Sequence, residues 1–137
     1  MSTTVADVMT TQVVTLREED NLTELQPDME FFGLRHLPVV DGERLVGLLT
    51  HRDILRLTVS SMARDSVHQA IERDQEEGTF VAAVMKRDVI TVPPTATIQE
   101  AARLMVDERV GCLPVVDAEQ RLLGIVTEHD LLSQLVA

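Results

Sequence analysis

Aromatic residues are nearly missing from this chain: three Phe, no Trp and no Tyr among 137 residues. The core therefore has to be aliphatic, filled by Val, Leu, Ile, Ala and Met, and a base-stacking platform for single-stranded nucleic acid is excluded. Cysteine is reduced to Cys112, which excludes an internal disulfide and any Cys-rich metal site and fits a cytoplasmic protein. Basic residues are outnumbered, 12 Lys and Arg against 23 Asp and Glu, for a formal net charge of −11. Duplex DNA and anionic membranes are poor partners for such a surface, although a local basic pocket for a small anion is compatible with it. No run approaches the ~18 apolar residues of a membrane span. The opening Met1–Asp7 has neither the basic region nor the apolar run of a signal peptide. The expectation is a soluble, cytoplasmic, acidic protein whose partners are neither nucleic acid nor membrane.

What the chain does have is a repeat. Leu37-Pro38-Val39-Val40-Asp41, followed by Gly47-Leu48-Leu49-Thr50-His51-Arg52-Asp53, returns as Leu113-Pro114-Val115-Val116-Asp117 and Gly124-Ile125-Val126-Thr127-Glu128-His129-Asp130. Val5-Ala-Asp-Val-Met9 likewise corresponds to Val81-Ala-Ala-Val-Met85, and Val13–Leu16 to Val89–Val92. The organisation read from this is a first repeat over 1–60, a connector over 61–79 and a second repeat over 80–137. Each repeat has roughly fifty residues, too few to bury a good core alone, so the two are expected to complete one another.

Within a repeat the local signals give an order of strand, helix, strand, strand, helix. Val13–Leu16 and Val89–Val92 are short β-branched runs that predict a first strand. Thr97-Ile-Gln-Glu100 is a capping box opening a helix, with Ala101, Ala102, Leu104, Met105 and Val106 at helical spacing. The first copy opens similarly at Asn21-Leu-Thr-Glu24 but carries Pro27, where an interior proline costs about 3 kcal/mol, so that helix is expected to bend or stop. Asp41-Gly42 marks a turn between two apolar runs, and Asp117–Arg121 is its longer counterpart. A final helix is expected from Asp53 and from Asp130, and a polar connector helix over Ser66–Gly78.

The doubled pattern of Val-x-x-Val-Met, Leu-Pro-Val-Val-Asp and Gly-φ-φ-Thr-x-x-Asp (φ apolar) resembles the cystathionine-β-synthase (CBS) domain pair, or Bateman module, over almost the whole chain. The resemblance implies an α+β fold of tandem β-α-β-β-α repeats packed with pseudo-twofold symmetry, usually homodimeric. It also implies two related clefts for adenosine-containing ligands such as AMP, ADP, ATP or S-adenosylmethionine. Carried over by position, one cleft takes Thr50 and Asp53 with Leu34, Arg35, His36, Val89 and Val110. The other takes Thr127 and Asp130 with Val110, Gly111, Cys112, Val8, Val13 and Leu34.

The chemistry of these residues is compatible with that role. A carboxylate accepts two hydrogen bonds at once, as the vicinal hydroxyls of a ribose require. The threonine hydroxyl three residues earlier can donate to ribose or phosphate oxygen, and the N–H groups of the new helix favour a phosphate. Valine side chains offer flat apolar walls to an adenine. Thr-x-x-Asp before an apolar run is equally a helix-capping pattern, worth about 1 kcal/mol. Around the first pair stand Arg35, His36, His51 and Arg52; around the second, Glu128 and His129. The first cleft is therefore expected to favour the more highly charged ligand.

Other readings fare worse. His51-Arg52-Asp53 spells a protein-kinase triplet, but Thr58 stands where that motif needs Asn and no Gly-rich loop is present. Asn21-Leu-Thr23 is a glycosylation sequon that matters only in a secreted protein. His36, His51, His68 and His129 lack metal-ligand spacing, and Cys112 reads as a small buried apolar residue. No base–nucleophile pair is visible. The function expected is a stand-alone, non-catalytic sensor that binds an adenosine-type nucleotide, needs no catalytic cofactor and acts on a regulated protein in trans. The alternative is a dimerisation scaffold with vestigial clefts.

Overall fold

Each Leu-Pro-Val-Val stretch folds into the first strand of a hairpin. The computed structural model describes residues 3–22, 35–50, 52–53 and 80–136. Its elements in chain order are α1 (Val5–Val8), β1 (His36–Asp41), β2 (Arg44–Thr50), a 3₁₀ turn (Val81–Ala83), α2 (Ile98–Glu108), β3 (Cys112–Val116), β4 (Leu122–Thr127) and α3 (Glu128–Val136). β1 pairs with β2, and β3 pairs antiparallel with β4, Cys112 opposite Thr127 and Pro114 opposite Ile125. The tandem β-β-α pattern that the sequence announces is present.

The turns do the same job with different residues. In the first hairpin Gly42 takes φ +64°, a left-handed conformation that costs glycine little. In the second, one residue longer, Gln120 takes φ +65° without that freedom. There the Asp117 carboxylate holds the loop, accepting from the N–H groups of Glu119 (3.0 Å) and Arg121 (2.9 Å) and from Arg121 Nε (2.7 Å). These contacts, the Arg121 backbone N–H foremost, hold the Asp117 pKa below its ordinary value.

The β-branched runs add to the hairpins less than expected. Leu16 makes one parallel bridge to Val39, and Val92 one to Val115. Leu16 N–H donates to Pro38 O and Val40 N–H to Leu16 O, both at 2.9 Å. The next rung on the N-terminal side would need an N–H from Pro38, or from Pro114 in the second copy, and proline has none. Single bridges, not multi-residue strands, are the result.

The chain divides into two compact units that do not follow the repeat order. One comprises Met1–Val14, Gly42–Leu45 and Asp88–Ala137; the other, Thr15–Asp41 and Val46–Arg87. In the first, Val5 is fully buried with Val92, Ala96, Ala101, Met105, Leu113, Val115 and Val126. In the second, Val81 takes the equivalent place among Leu16, Leu22, Leu37, Val39, Leu49 and Met85. Each Val-x-x-Val-Met segment thus serves the hairpin of the other copy. Residues 3–10 run as a strap: Val5 N–H bonds Ala96 O, Ile98 N–H bonds Thr3 O, and Thr10 exchanges two 2.9 Å bonds with Ile125. Lys86 exchanges two 2.9 Å bonds with Leu48 in the same way.

Both straps depend on glycine. A Cβ on Gly124 would lie 2.6 Å from Thr10 O and 2.9 Å from Met9 Sδ, and one on Gly47 2.6 Å from Met85 Sδ and 3.0 Å from Lys86 O. The described core is aliphatic, as the shortage of aromatics requires, and Phe80 is half exposed. The Asn21 helix beyond Leu22, with Pro27, and the connector helix over Ser66–Gly78 lie outside the described residues.

Candidate functional site

Four of the Thr-x-x-acid stretches in the described residues form boxes, and these four are built alike. In each the acid's carboxylate accepts from both the N–H and the hydroxyl of the threonine three residues earlier. Thr4 and Asp7 do so at 3.0 and 3.1 Å, and Thr97 and Glu100 at 3.3 and 3.1 Å. The two boxes singled out as ligand sites share the geometry. Thr50 N–H and Oγ1 donate to Asp53 Oδ2 at 3.2 and 2.8 Å, and Thr127 N–H and Oγ1 to Asp130 Oδ2 at 2.8 and 3.0 Å. Asp53 N–H and Asp130 N–H each return a bond to the threonine hydroxyl at 3.3 Å. Capping is therefore a role these residues fill in the folded chain, worth about 1 kcal/mol each.

Two features set the second and fourth boxes apart. They close β2 and β4, the latter passing directly into α3, and they are partly buried, whereas the other two boxes are exposed. Asp53, 8 % exposed, is the buried charged residue among those described. Both threonine bonds fall on Oδ2. Among the described residues Oδ1 of Asp53 and of Asp130 accepts nothing, and an ionised carboxylate has capacity to spare.

The unit that holds Thr127 and Asp130 also holds Val8, Val13, Val89, Val110, Gly111, Cys112 and His129. Val8 and Val110 pack against its core, and Cys112 is buried at the start of β3. Gly111 O accepts from Glu128 N–H at 3.0 Å, which ties the 110–112 segment to the first residue of α3. Glu128 and His129 are exposed. Thr50 and Asp53 share the other unit with Arg35, Arg52 and the half-buried His36. Both arginines are exposed. His51 and Leu34 lie outside the described residues.

One cation escaped the sequence reading. Arg109 ends α2 in the left-handed conformation, φ 57° and ψ 45°, two residues before Gly111. Its signal lay in the alignment of the copies: Gly33-Leu34-Arg35 corresponds to Arg109-Val110-Gly111, with arginine and glycine in opposite order.

The comparisons with known proteins give this geometry a family. The CBS domain model matches residues 5–60 and 81–137, and the chain belongs to the CBS domain family. Protein MJ1225 of Methanocaldococcus jannaschii is 35 % identical over 126 residues, 92 % of this chain and 45 % of that one. Its crystal structure superposes with a TM-score of 0.82 at 31 % identity, over 98 % of this chain and 48 % of MJ1225. The chain thus spans less than half of that relative. CBSX2, solved in complex with AMP, gives a TM-score of 0.81 at 25 % identity over 98 % of this chain and 96 % of its own. The CBS domain pair of protein MJ0100, solved with 5′-methylthioadenosine and S-adenosyl-L-methionine, gives 0.76 at 26 % identity over 99 % and 97 %. CBS pairs of this fold bind adenosine-type ligands. No helix among the described residues is long and apolar enough to cross a membrane.

Proposed function

We propose that this chain is a regulatory module that binds an adenosine-type nucleotide at its Thr50/Asp53 and Thr127/Asp130 boxes and performs no catalysis. The observation that carries the reading is the partly buried box at the end of β2 and of β4, with one carboxylate oxygen engaged in capping and the other left for a ribose. The AMP and S-adenosylmethionine complexes of similar CBS proteins support it. Oδ1 accepts the ribose hydroxyls, the positive end of the α3 dipole favours a phosphate near Thr127, and Val8, Val13 and Val110 flank the base in the unit of Thr127. Arg35, Arg52 and His51 make the Thr50/Asp53 box the one for the more highly charged ligand. Regulation requires that the ligand bind two conformations with different affinity, since equal affinity shifts nothing. The output passes to another protein, in the cytoplasm.

A thermal-shift panel of AMP, ADP, ATP, S-adenosylmethionine and NAD tests the reading. A true ligand at about 100 times its Kd stabilises by ~2.7 kcal/mol and raises Tm by several degrees. A flat panel favours the scaffold instead, and turnover of nucleotide by the pure protein would make it an enzyme.

Homodimerisation belongs to the same proposal. Val106 on α2 and Leu132, Leu135 and Val136 on α3 are 58–83 % exposed, an apolar set that a second copy would cover. Sedimentation should give twice the monomer mass for the wild type and a shift toward monomer for Leu135→Glu. A wild-type monomer at tens of micromolar removes the dimer from the reading.

A further inference from the structure

We infer that Arg109 is the specificity-determining cation of the Thr127/Asp130 box, the group that distinguishes an adenosine ligand carrying an anionic group from one without it. The inference rests on the proposed nucleotide reading and adds a residue to it.

The backbone first makes Arg109 an unusual choice. A side chain at φ 57° clashes with its own carbonyl, and helices that end this way mostly use glycine at the left-handed position. The first copy has glycine at the corresponding place, Gly33. Arginine there gives up that freedom, so a charged side chain is retained at a position where its backbone is unfavourable.

The second point is what the arginine does not do. It is exposed, and among the described residues its guanidinium makes no ion pair or hydrogen bond, in a chain where acids outnumber bases two to one. Arg121, by contrast, is held by Asp117 and Glu119. Arg109 is not consumed by the fold.

Position supplies the third point. Gly111 is tied through its carbonyl to Glu128 N–H, the first residue of α3, immediately after Thr127. Two residues span at most about 7 Å, so Arg109 Cα stands no farther than that from Gly111 Cα, the residue tied to the start of α3. The first copy places its arginine at the Gly111 position, as Arg35, and its glycine at the Arg109 position. Each box is thereby given one arginine from the same three-residue segment, mounted two residues apart. A single guanidinium can hold one phosphate or carboxylate by two parallel hydrogen bonds. The ligand class that fits is an adenosine with one anionic group, such as a 5′-monophosphate.

The competing explanation is structural: a cation at a helix C-terminus is favoured by the helix dipole. NMR titration of the full chain with AMP and with adenosine, followed at the Gly111 and Glu128 amides, separates the two and reads this box alone. For Arg109→Gln, which keeps the side-chain bulk and loses the charge, AMP affinity should fall roughly tenfold or more, the effect of one charge-assisted contact. Adenosine affinity should stay within a factor of two, about the uncertainty of an uncoupled substitution. Arg109→Lys should recover part of the loss. If Arg109→Gln leaves the ratio of AMP to adenosine affinity unchanged, Arg109 is a structural cap only and the inference is overturned. If the wild type binds neither ligand at this box, the nucleotide reading falls there and takes the inference with it.

Discussion

Gly124→Ala should be among the most damaging single-methyl additions available to this protein, costing about 2–4 kcal/mol, whereas Gly47→Ala should cost about 1 kcal/mol. The difference follows from what each new Cβ meets. At position 124 the nearest atom is the backbone oxygen of Thr10, 2.6 Å away, and that oxygen is half of the double hydrogen bond joining Thr10 to Ile125. It cannot retreat without breaking the bridge that holds the 3–10 strap on β4. At position 47 the nearest atom is Met85 Sδ, near the end of a flexible side chain, and the backbone oxygen of Lys86 lies at a more tolerable 3.0 Å. Urea denaturation of the two variants provides the comparison. Equal costs, or a larger cost at Gly47, would show that the strap is not held by the close approach described.

Asp53→Asn and Asp130→Asn should abolish most ligand affinity at their own boxes while leaving the fold nearly intact. An Asn carbonyl oxygen can still accept from the threonine N–H and hydroxyl, so the cap survives. The amide NH₂ then occupies the place of Oδ1 and cannot accept a ribose hydroxyl. Losing acceptor bonds to a charged group corresponds to roughly 10- to 100-fold in affinity per box. Calorimetric titrations should show Asp53→Asn losing ADP and ATP preferentially, because Arg35 and Arg52 share its unit. Asp130→Asn should lose AMP or S-adenosylmethionine. If Asp130→Asn abolishes ATP binding and Asp53→Asn leaves it unchanged, the assignment of the two boxes is reversed. If both variants bind like the wild type, the boxes are caps and nothing more.

Much of this was legible in the residues because the signals are local. The hairpins follow from apolar runs separated by Asp41-Gly42 and Asp117–Arg121, and α2 begins at Ile98, one residue after its capping threonine. The aliphatic core followed from having so few aromatics to place. Two things were not legible. The length of the Leu16 and Val92 pairings is set by missing N–H groups on Pro38 and Pro114, in segments distant in sequence. The assignment of Val5 to the second copy's core and Val81 to the first could not be read, because the two Val-x-x-Val-Met segments fit either hairpin equally well by pattern. At the site, the Thr-x-x-Asp boxes were found from spacing. Arg109 was passed over because a helix-ending arginine looks like ordinary surface until its φ is seen.

The exchanged straps also bear on how the chain acquires its structure. Val5 waits for Ala96, roughly ninety positions later, before its N–H is satisfied and its side chain covered. The unit over 15–41 and 46–87 can close as soon as its own residues exist. The other unit must keep residues 3–14 uncommitted until α2, β3 and β4 have been made. Contacts of such long span slow folding, and an apolar segment left exposed meanwhile invites pairing with the wrong hairpin. Because Val5–Met9 and Val81–Met85 are near-copies, the wrong hairpin is always at hand. Order of synthesis sharpens the hazard: residues 5–9 and the first hairpin both exist before 81–85 is made, so the native exchange requires 81–85 to win a hairpin that its near-copy meets first.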